Sequence, residues 1–271
     1  MENVRTGVAA VSDLVKAAAD SPAGKAAAQN LGQTAVTVTK LVNNVLLPVA
    51  AVNYACDRFR EYFQNKFAGD LAEKTANIPP EHVIEPKASV AGPALQGLAF
   101  AHEEPQLKDL FLELLASAMD SRRAATAHPA FVEILKQLTS EEARLLRGPI
   151  GEQGVIPFAQ IHAINRGTDT TIPVYNHVTF TKWLDGTVYD IETLPAMVDN
   201  WIRLGLVEVQ YEVSVADRDG VDPYRWLKKH PHYAQAEARV LEKGLDIDVV
   251  HGYMRTTDFG QQFARAVGIL N

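Results

Sequence analysis

The chain has 271 residues, a net charge of −7, 47% hydrophobic residues and 22% charged residues, a composition that fits one large or two ordinary globular domains and excludes a disordered chain. A single cysteine, Cys56, excludes an internal disulfide and any multi-cysteine zinc or iron–sulfur site. Residues 1–147 hold 15 basic and 17 acidic side chains and residues 148–271 hold 11 and 16, a balance that argues against generic binding to nucleic acid or an anionic membrane.

Met1 to Ala19 scatters Glu2, Arg5, Asp13 and Lys16 through its length and lacks the basic end and unbroken apolar core of a secretory signal, so a cytoplasmic protein is expected. Residues 1–40 are Ala-rich and read as a helical arm broken at Ser21–Gly24. Residues 41–67 follow with Leu41, Val45, Leu46, Val49, Val52, Ala55, Cys56 and Phe59 at helical spacing. The uncharged run from Leu41 to Cys56 falls short of the roughly 20 apolar residues a spanning helix needs. A buried core helix is the plain reading of this stretch, and membrane insertion on activation is the sharper one.

Residues 77–100 begin as an extended connection, where Pro79, Pro80 and Pro86 disfavour helix, and Gly92-Pro93 then leads into a short helix ending near Ala101. Glu81, His82 and Glu85 lack the fixed spacing of metal ligands. Leu107, Leu110, Phe111, Leu114, Leu115 and Ala118 then line one stripe of a helix opened by Pro105. Phe131, Ile134, Leu135 and Leu138 repeat that spacing after Pro129, and Thr139 with Glu142 forms a capping-box pattern that starts a third helix. Between the first two lies the polar loop Asp120, Ser121, Arg122, Arg123 to His128. Its plain reading is a solvated connection. Its functional reading is a contact site in which Arg122 and Arg123 meet an anionic ligand or a protein partner.

After Leu146 the texture changes. Gly148, Pro149, Gly151 and Gly154 mark a boundary, a short helix is expected over Pro157–Ala163, and residues 166–190 mix strand and loop signals. A helix over Thr193–Leu204 closes at Gly205, Leu206–Val215 alternates as a strand, Pro223–Lys243 is helical around Pro231, Asp246–Arg255 returns as a strand, and Thr257–Val267 is a final helix. That order predicts a winged helix carrying a helical insertion between the strands of its wing. Its recognition helix offers Arg203 as the sole base beside Glu192 and Asp199, so protein binding is expected over nucleic-acid binding. Lys228, Lys229, His230 and His232 with Trp226 and Tyr233 suggest a polyanion contact, with a solvated helix face as the plainer reading.

The fold expected is therefore mainly α: the arm at 1–40, a helical domain at 41–147 and a winged-helix-like α+β domain at 148–271. No phosphate-binding glycine loop, nucleophile elbow or paired helical metal ligands occur, so no catalytic residue and no cofactor is expected, and a non-enzymatic role is favoured. The candidate contact residues are Asp120, Arg122, Arg123, His128 and Arg203.

Four phrases carry a resemblance: LVNNVLLPVAAVNY at 41–54, IPPEHVIEPKASVAGPALQGLAF at 78–100, LKDLFLELLASAMD at 107–120 and HPAFVEILKQLTSEEARLL at 128–146. With Trp201–Val207 and Thr257–Phe263 they make the chain resemble the Abi-alpha family over about residues 40 to 270. The resemblance implies a bacterial setting in abortive infection, a form of defence against bacteriophage. It carries over no catalytic residues. The function expected is an anti-phage factor acting through macromolecular binding, with a membrane-disrupting effector or a nucleic-acid-binding regulator as alternatives.

Overall fold

The computed structural model describes residues 62–63, 65–151, 154–168, 170–179, 192–216 and 220–270. The arm at 1–40 and all but the end of the 41–67 stretch lie outside these residues. Among them the chain forms eight α-helices and four β-strands. The helices are α1 Phe67–Thr75, α2 Ala88–Ala101, α3 Pro105–Met119, α4 Pro129–Leu135, α5 Ser140–Gly151, α6 Leu194–Arg203, α7 Pro231–Leu241 and α8 Asp258–Ala266. The strands are β1 Val155–Asn165, β2 Thr170–Thr179, β3 Val207–Tyr211 and β4 Asp246–Thr256. The chain divides into two compact units, one of residues 1–147 and 262–271 and one of residues 148–261.

In the first unit the helical spacing read from the sequence becomes the core. Leu107, Leu110, Phe111, Leu114 and Leu115 of α3 are buried, as are Phe131, Ile134 and Leu135 of α4. Full burial of each such side chain stabilises by roughly 1.5–3 kcal/mol. The capping box forms as its residues require. The Thr139 amide donates to Glu142 Oε2 at 2.8 Å, and the Glu142 amide donates to Thr139 Oγ1 at 3.1 Å. Helix α2 starts earlier than expected and runs through Pro93. It packs against α3 and α4, and at Gly97 its backbone lies against the buried Phe111 ring. The last turn of α8 also belongs to this unit: Phe263 meets the Phe131 ring edge-on at 5.5 Å, and Ser117 Oγ donates to the Ala266 carbonyl at 2.7 Å.

Ion pairs join α1, α3 and α5. Lys74 meets Asp109 at 2.5 Å and Glu113 at 2.9 Å, Arg147 meets Asp109 at 2.6 Å, and Lys108 meets Asp70 at 2.9 Å. Burial works against the Asp109 charge, but the hydrogen bonds and attraction of Lys74 and Arg147 outweigh it and hold the carboxyl below its ordinary value of 3.8.

The second unit corrects the expected fold class. Its centre is a four-stranded antiparallel sheet in the order β2-β1-β4-β3. With this sheet beside eight helices in the element order of the described residues, the chain is mixed α+β and not mainly α. The winged-helix expectation fails at its first element. Pro157–Ala163, expected as a short helix, lies inside β1, the strand that β2 and β4 flank. Ala159, Ile161 and Ala163 are buried at a spacing of two, which a strand satisfies and a helix does not. Residues 170–179, within the mixed segment, are the edge strand β2.

Ala159, Ile161 and Val178 pack with Leu227 and with Ala236 of α7 on one side of this sheet. Helix α6 packs against β2 and β3. It ends in a Schellman-type turn, where Gly205 takes φ +74° and the Leu206 amide donates to the Trp201 carbonyl at 2.9 Å. Strand β3 then pairs with β4, the two strands expected as partners.

Candidate functional site

Helix α3 ends at Met119, and the chain turns out of it on a side-chain clasp. Asp120 is 2% exposed and accepts from Arg122 through both oxygens: Nε to Oδ1 at 2.9 Å and Nη2 to Oδ2 at 2.6 Å. The Arg122 amide adds a third bond to Oδ1 at 3.0 Å. These hydrogen bonds, helped by the guanidinium charge, outweigh burial and hold the Asp120 carboxyl below its ordinary 3.8. Arg122 itself stands outside, with its side chain 47% exposed. The loop is tied to the preceding connection: Ile84 N–H donates to the Met119 carbonyl and Ser121 N–H to the His82 carbonyl, both at 2.8 Å, and His82 Nδ1 lies 2.9 Å from Ser121 Oγ.

The other candidates are committed differently. Arg123 donates from Nη2 to the Arg265 carbonyl at 2.6 Å, near the C-terminal end of α8. That is where a cation satisfies unpaired carbonyls and the helix dipole together. His128 is the N-cap of α4 and accepts the Ala130 amide on Nδ1 at 3.1 Å. Arg203 is in the second unit, where it donates to Asn200 Oδ1 at 2.6 Å from the same helix. The structure therefore brings Asp120, Arg122, Arg123 and His128 onto one short loop and leaves Arg203 out of it. Of these, Arg122 is the cation whose position is set by a buried carboxylate while its outer edge faces solvent.

The acid response of this clasp follows from sign. Asp109 and Asp120 both titrate below the unfolded value of 3.8, so their stabilisation is complete above that value and is lost as pH falls through the lower folded value. Asp120→Asn is expected to lower stability at neutral pH and to make the loss of stability below about pH 3.8 shallower. Thermal unfolding followed across that range measures both effects.

A second polar cluster escaped sequence reading. His177 is 8% exposed and takes φ +54° within β2. Its Nε2 lies 3.0 Å from Asp199 Oδ1 of α6, and its Nδ1 lies 2.8 Å from the Tyr211 hydroxyl of β3. The Tyr211 oxygen also accepts the His177 amide at 3.1 Å, and burial pushes the phenol up to about 12. A neutral imidazole protonated at Nε2 satisfies every one of these contacts. The ring thus links α6, β2 and β3 within the second unit. The register between β1 and β2 shifts next to this residue, between Ala159 and Ile161, which is how an inward histidine occurs where strict alternation would not place one. The expected polyanion group is divided. Trp226 and Tyr233 pack on the sheet core and His230 caps α7, which leaves Lys228 and Lys229 exposed. Among the described residues no cluster of three or more His, Cys, Asp or Glu side chains is placed to hold a metal ion, and no helix is long and apolar enough to cross a membrane.

The described residues define a two-unit α+β protein with a carboxylate-braced arginine among its exposed polar groups. A family model described as Abortive infection alpha matches residues 59–267, and the chain belongs to that family. No curated protein matches the chain. A solved structure of an uncharacterized protein from the hydrocarbon-degrading marine bacterium Alcanivorax borkumensis SK2 is similar at 15% identity and a TM-score of 0.35, over 54% of this chain and 96% of that one.

Proposed function

We propose that this protein is an anti-phage factor of the abortive-infection type, working in the bacterial cytoplasm by binding another protein through the Asp120–His128 loop. Family membership supports the setting. The observation that carries the contact is Arg122, half-exposed and clamped on the buried Asp120. The bidentate bond uses Nε and one face of Nη2, so the remaining guanidinium donors point away from Asp120. Because the side chain is already ordered, a partner carboxylate or carbonyl meets it without the usual entropy loss of about 0.5–1.5 kcal/mol. An acidic chain favours such a paired contact with protein over a polyanion.

The test is phage plating on a bacterium carrying the gene, with culture density followed in the same infections. Arg122→Ala is expected to abolish protection at unchanged protein level, since loss of an arginine anchor of about 2 kcal/mol weakens a partner roughly thirtyfold. Arg123→Ala, which removes a helix-end contact, is expected to lower stability more than protection. Full protection by a folded Arg122→Ala variant refutes the loop as the contact.

A further inference from the structure

Residues 82–84 lie against the Arg122 loop as a short antiparallel pair. Val83 bridges Asp120, with the Ser121 amide on the His82 carbonyl and the Ile84 amide on the Met119 carbonyl, both at 2.8 Å. Side chains alternate across such a pair. Val83 therefore shares a face with the buried Asp120, and His82, Ile84 and Ser121 share the other. The meeting of His82 Nδ1 and Ser121 Oγ at 2.9 Å is the result. Ser121 and Ile84 are exposed and His82 is half-buried, so this second face is the outer one.

Three observations give this face the character of a binding surface. Among the described residues of the first unit, Ile84 and Phe100 are the exposed large apolar side chains, and Ile84, 37% exposed, is the one beside the clasp. The segment is also stiff. Pro79 and Pro80 lead into a single 3-10 turn, where the His82 amide donates to the Pro79 carbonyl at 2.9 Å, and the buried Pro86 closes it. A partner thus meets Ile84 and Arg122 in fixed positions at little ordering cost. Charge alternates as well. Glu81 is exposed on that turn, next to the His82 that holds Ser121. Hydrogen bonding to Asp120 first, and the Glu81 charge after it, hold the Arg122 guanidinium above its ordinary value. An arginine with an acid on either side repels a run of negative charge and suits a partner of mixed charge.

We infer that the partner surface of the Arg122 loop extends over residues 81–84, and that it takes a protein segment presenting a carboxylate to Arg122, an apolar side chain to Ile84 and a cation to Glu81. The inference rests on the reading of Arg122 as a partner contact and adds the chemistry of what it meets. Ile84 is the apolar centre, and the two charges on its border fix the orientation of the partner.

Full-length protein with a photoreactive benzoylphenylalanine in place of Ile84 is irradiated in the bacterial host, before and during infection. Protein with the same group in place of Phe100, at the C-terminal end of α2, is irradiated beside it. Position 84 is expected to give a discrete protein adduct that position 100 does not. Its yield is expected to fall at least roughly tenfold with Arg122→Ala and with Glu81→Lys. Glu73→Lys, the same charge change at an exposed site on α1, is expected to leave it unchanged. Thermal unfolding checks that each variant is folded. Three results overturn the inference: no protein adduct at position 84, a yield indifferent to Glu81→Lys, or a yield that rises with Glu81→Lys, which assigns the face to a polyanion. Any of these beside loss of phage protection in Arg122→Ala leaves the arginine contact standing and removes Ile84 and Glu81 from it. An adduct that survives Arg122→Ala removes the arginine contact itself.

Discussion

Gly260→Ala is expected to destabilise the second unit by roughly 2–4 kcal/mol, although it replaces a helical glycine with the best helix former. A Cβ at this position would lie 2.0 Å from the Leu206 carbonyl oxygen and 2.9 Å from its carbon. Neither atom can move freely. The same carbonyl accepts the Thr257 amide at 3.1 Å, and Thr257 Oγ1 donates to the Gly205 carbonyl at 2.5 Å while accepting the Gly260 amide at 2.9 Å. The first turn of α8 is therefore bonded to the backbone at the end of α6, and a methyl group would pry the two apart. Gly69→Ala is the contrasting control. Gly69 is also inside a helix, α1, but is exposed, with open space where its Cβ would stand. That change is expected to stabilise by about 0.5–1 kcal/mol. Thermal and urea unfolding of the two variants give opposite signs if the close approach at Gly260 is real. Equal signs would reject it.

The second large effect lies at the α2–α3 crossing. A Cβ on Gly97 would stand 2.5 Å from Cζ and 2.6 Å from Cε1 of Phe111, a ring that is 1% exposed and has nowhere to go. Gly97→Ala is expected to cost roughly 1–3 kcal/mol as overpacking. Phe111→Leu removes those ring atoms and costs a similar amount as a cavity. Combined, the two are expected to cost less than their sum by at least about 1 kcal/mol, because the new methyl occupies space the ring vacated. Strict additivity in a double-mutant cycle would show that α2 and α3 do not meet there.

These glycines mark where sequence reading stops. Gly69, Gly97 and Gly260 have the same lack of side chain and all sit in helices. What separates them is the atom 2 to 4 Å away, which belongs to a residue distant in the chain or to none. The same limit explains the candidate loop. Asp120 and Arg122 are two positions apart, and their clasp is a local event. Arg123 finds the carbonyl of Arg265, 142 positions onward, and no spacing rule reaches that far.

Local periodicity decided a good deal by itself. The stripes of α3 and α4, the Thr139–Glu142 box and the glycine stop after α6 all follow from contacts within about four residues, where backbone geometry alone determines which side chains meet. The family resemblance was legible for a related reason, since it rests on phrases of contiguous sequence. Strand β1 was not legible. Pro157 at a helix-start position and alanines at 159 and 163 suited a helix, and period-two burial outweighed them only because β2 and β4 flank the strand. The tertiary structure alone decided the α+β class, the inward His177 and the solvent-facing arginine on a buried carboxylate. Each depends on a partner strand, helix or loop brought close by folding, and hydrogen bonds of that kind leave no period in the sequence.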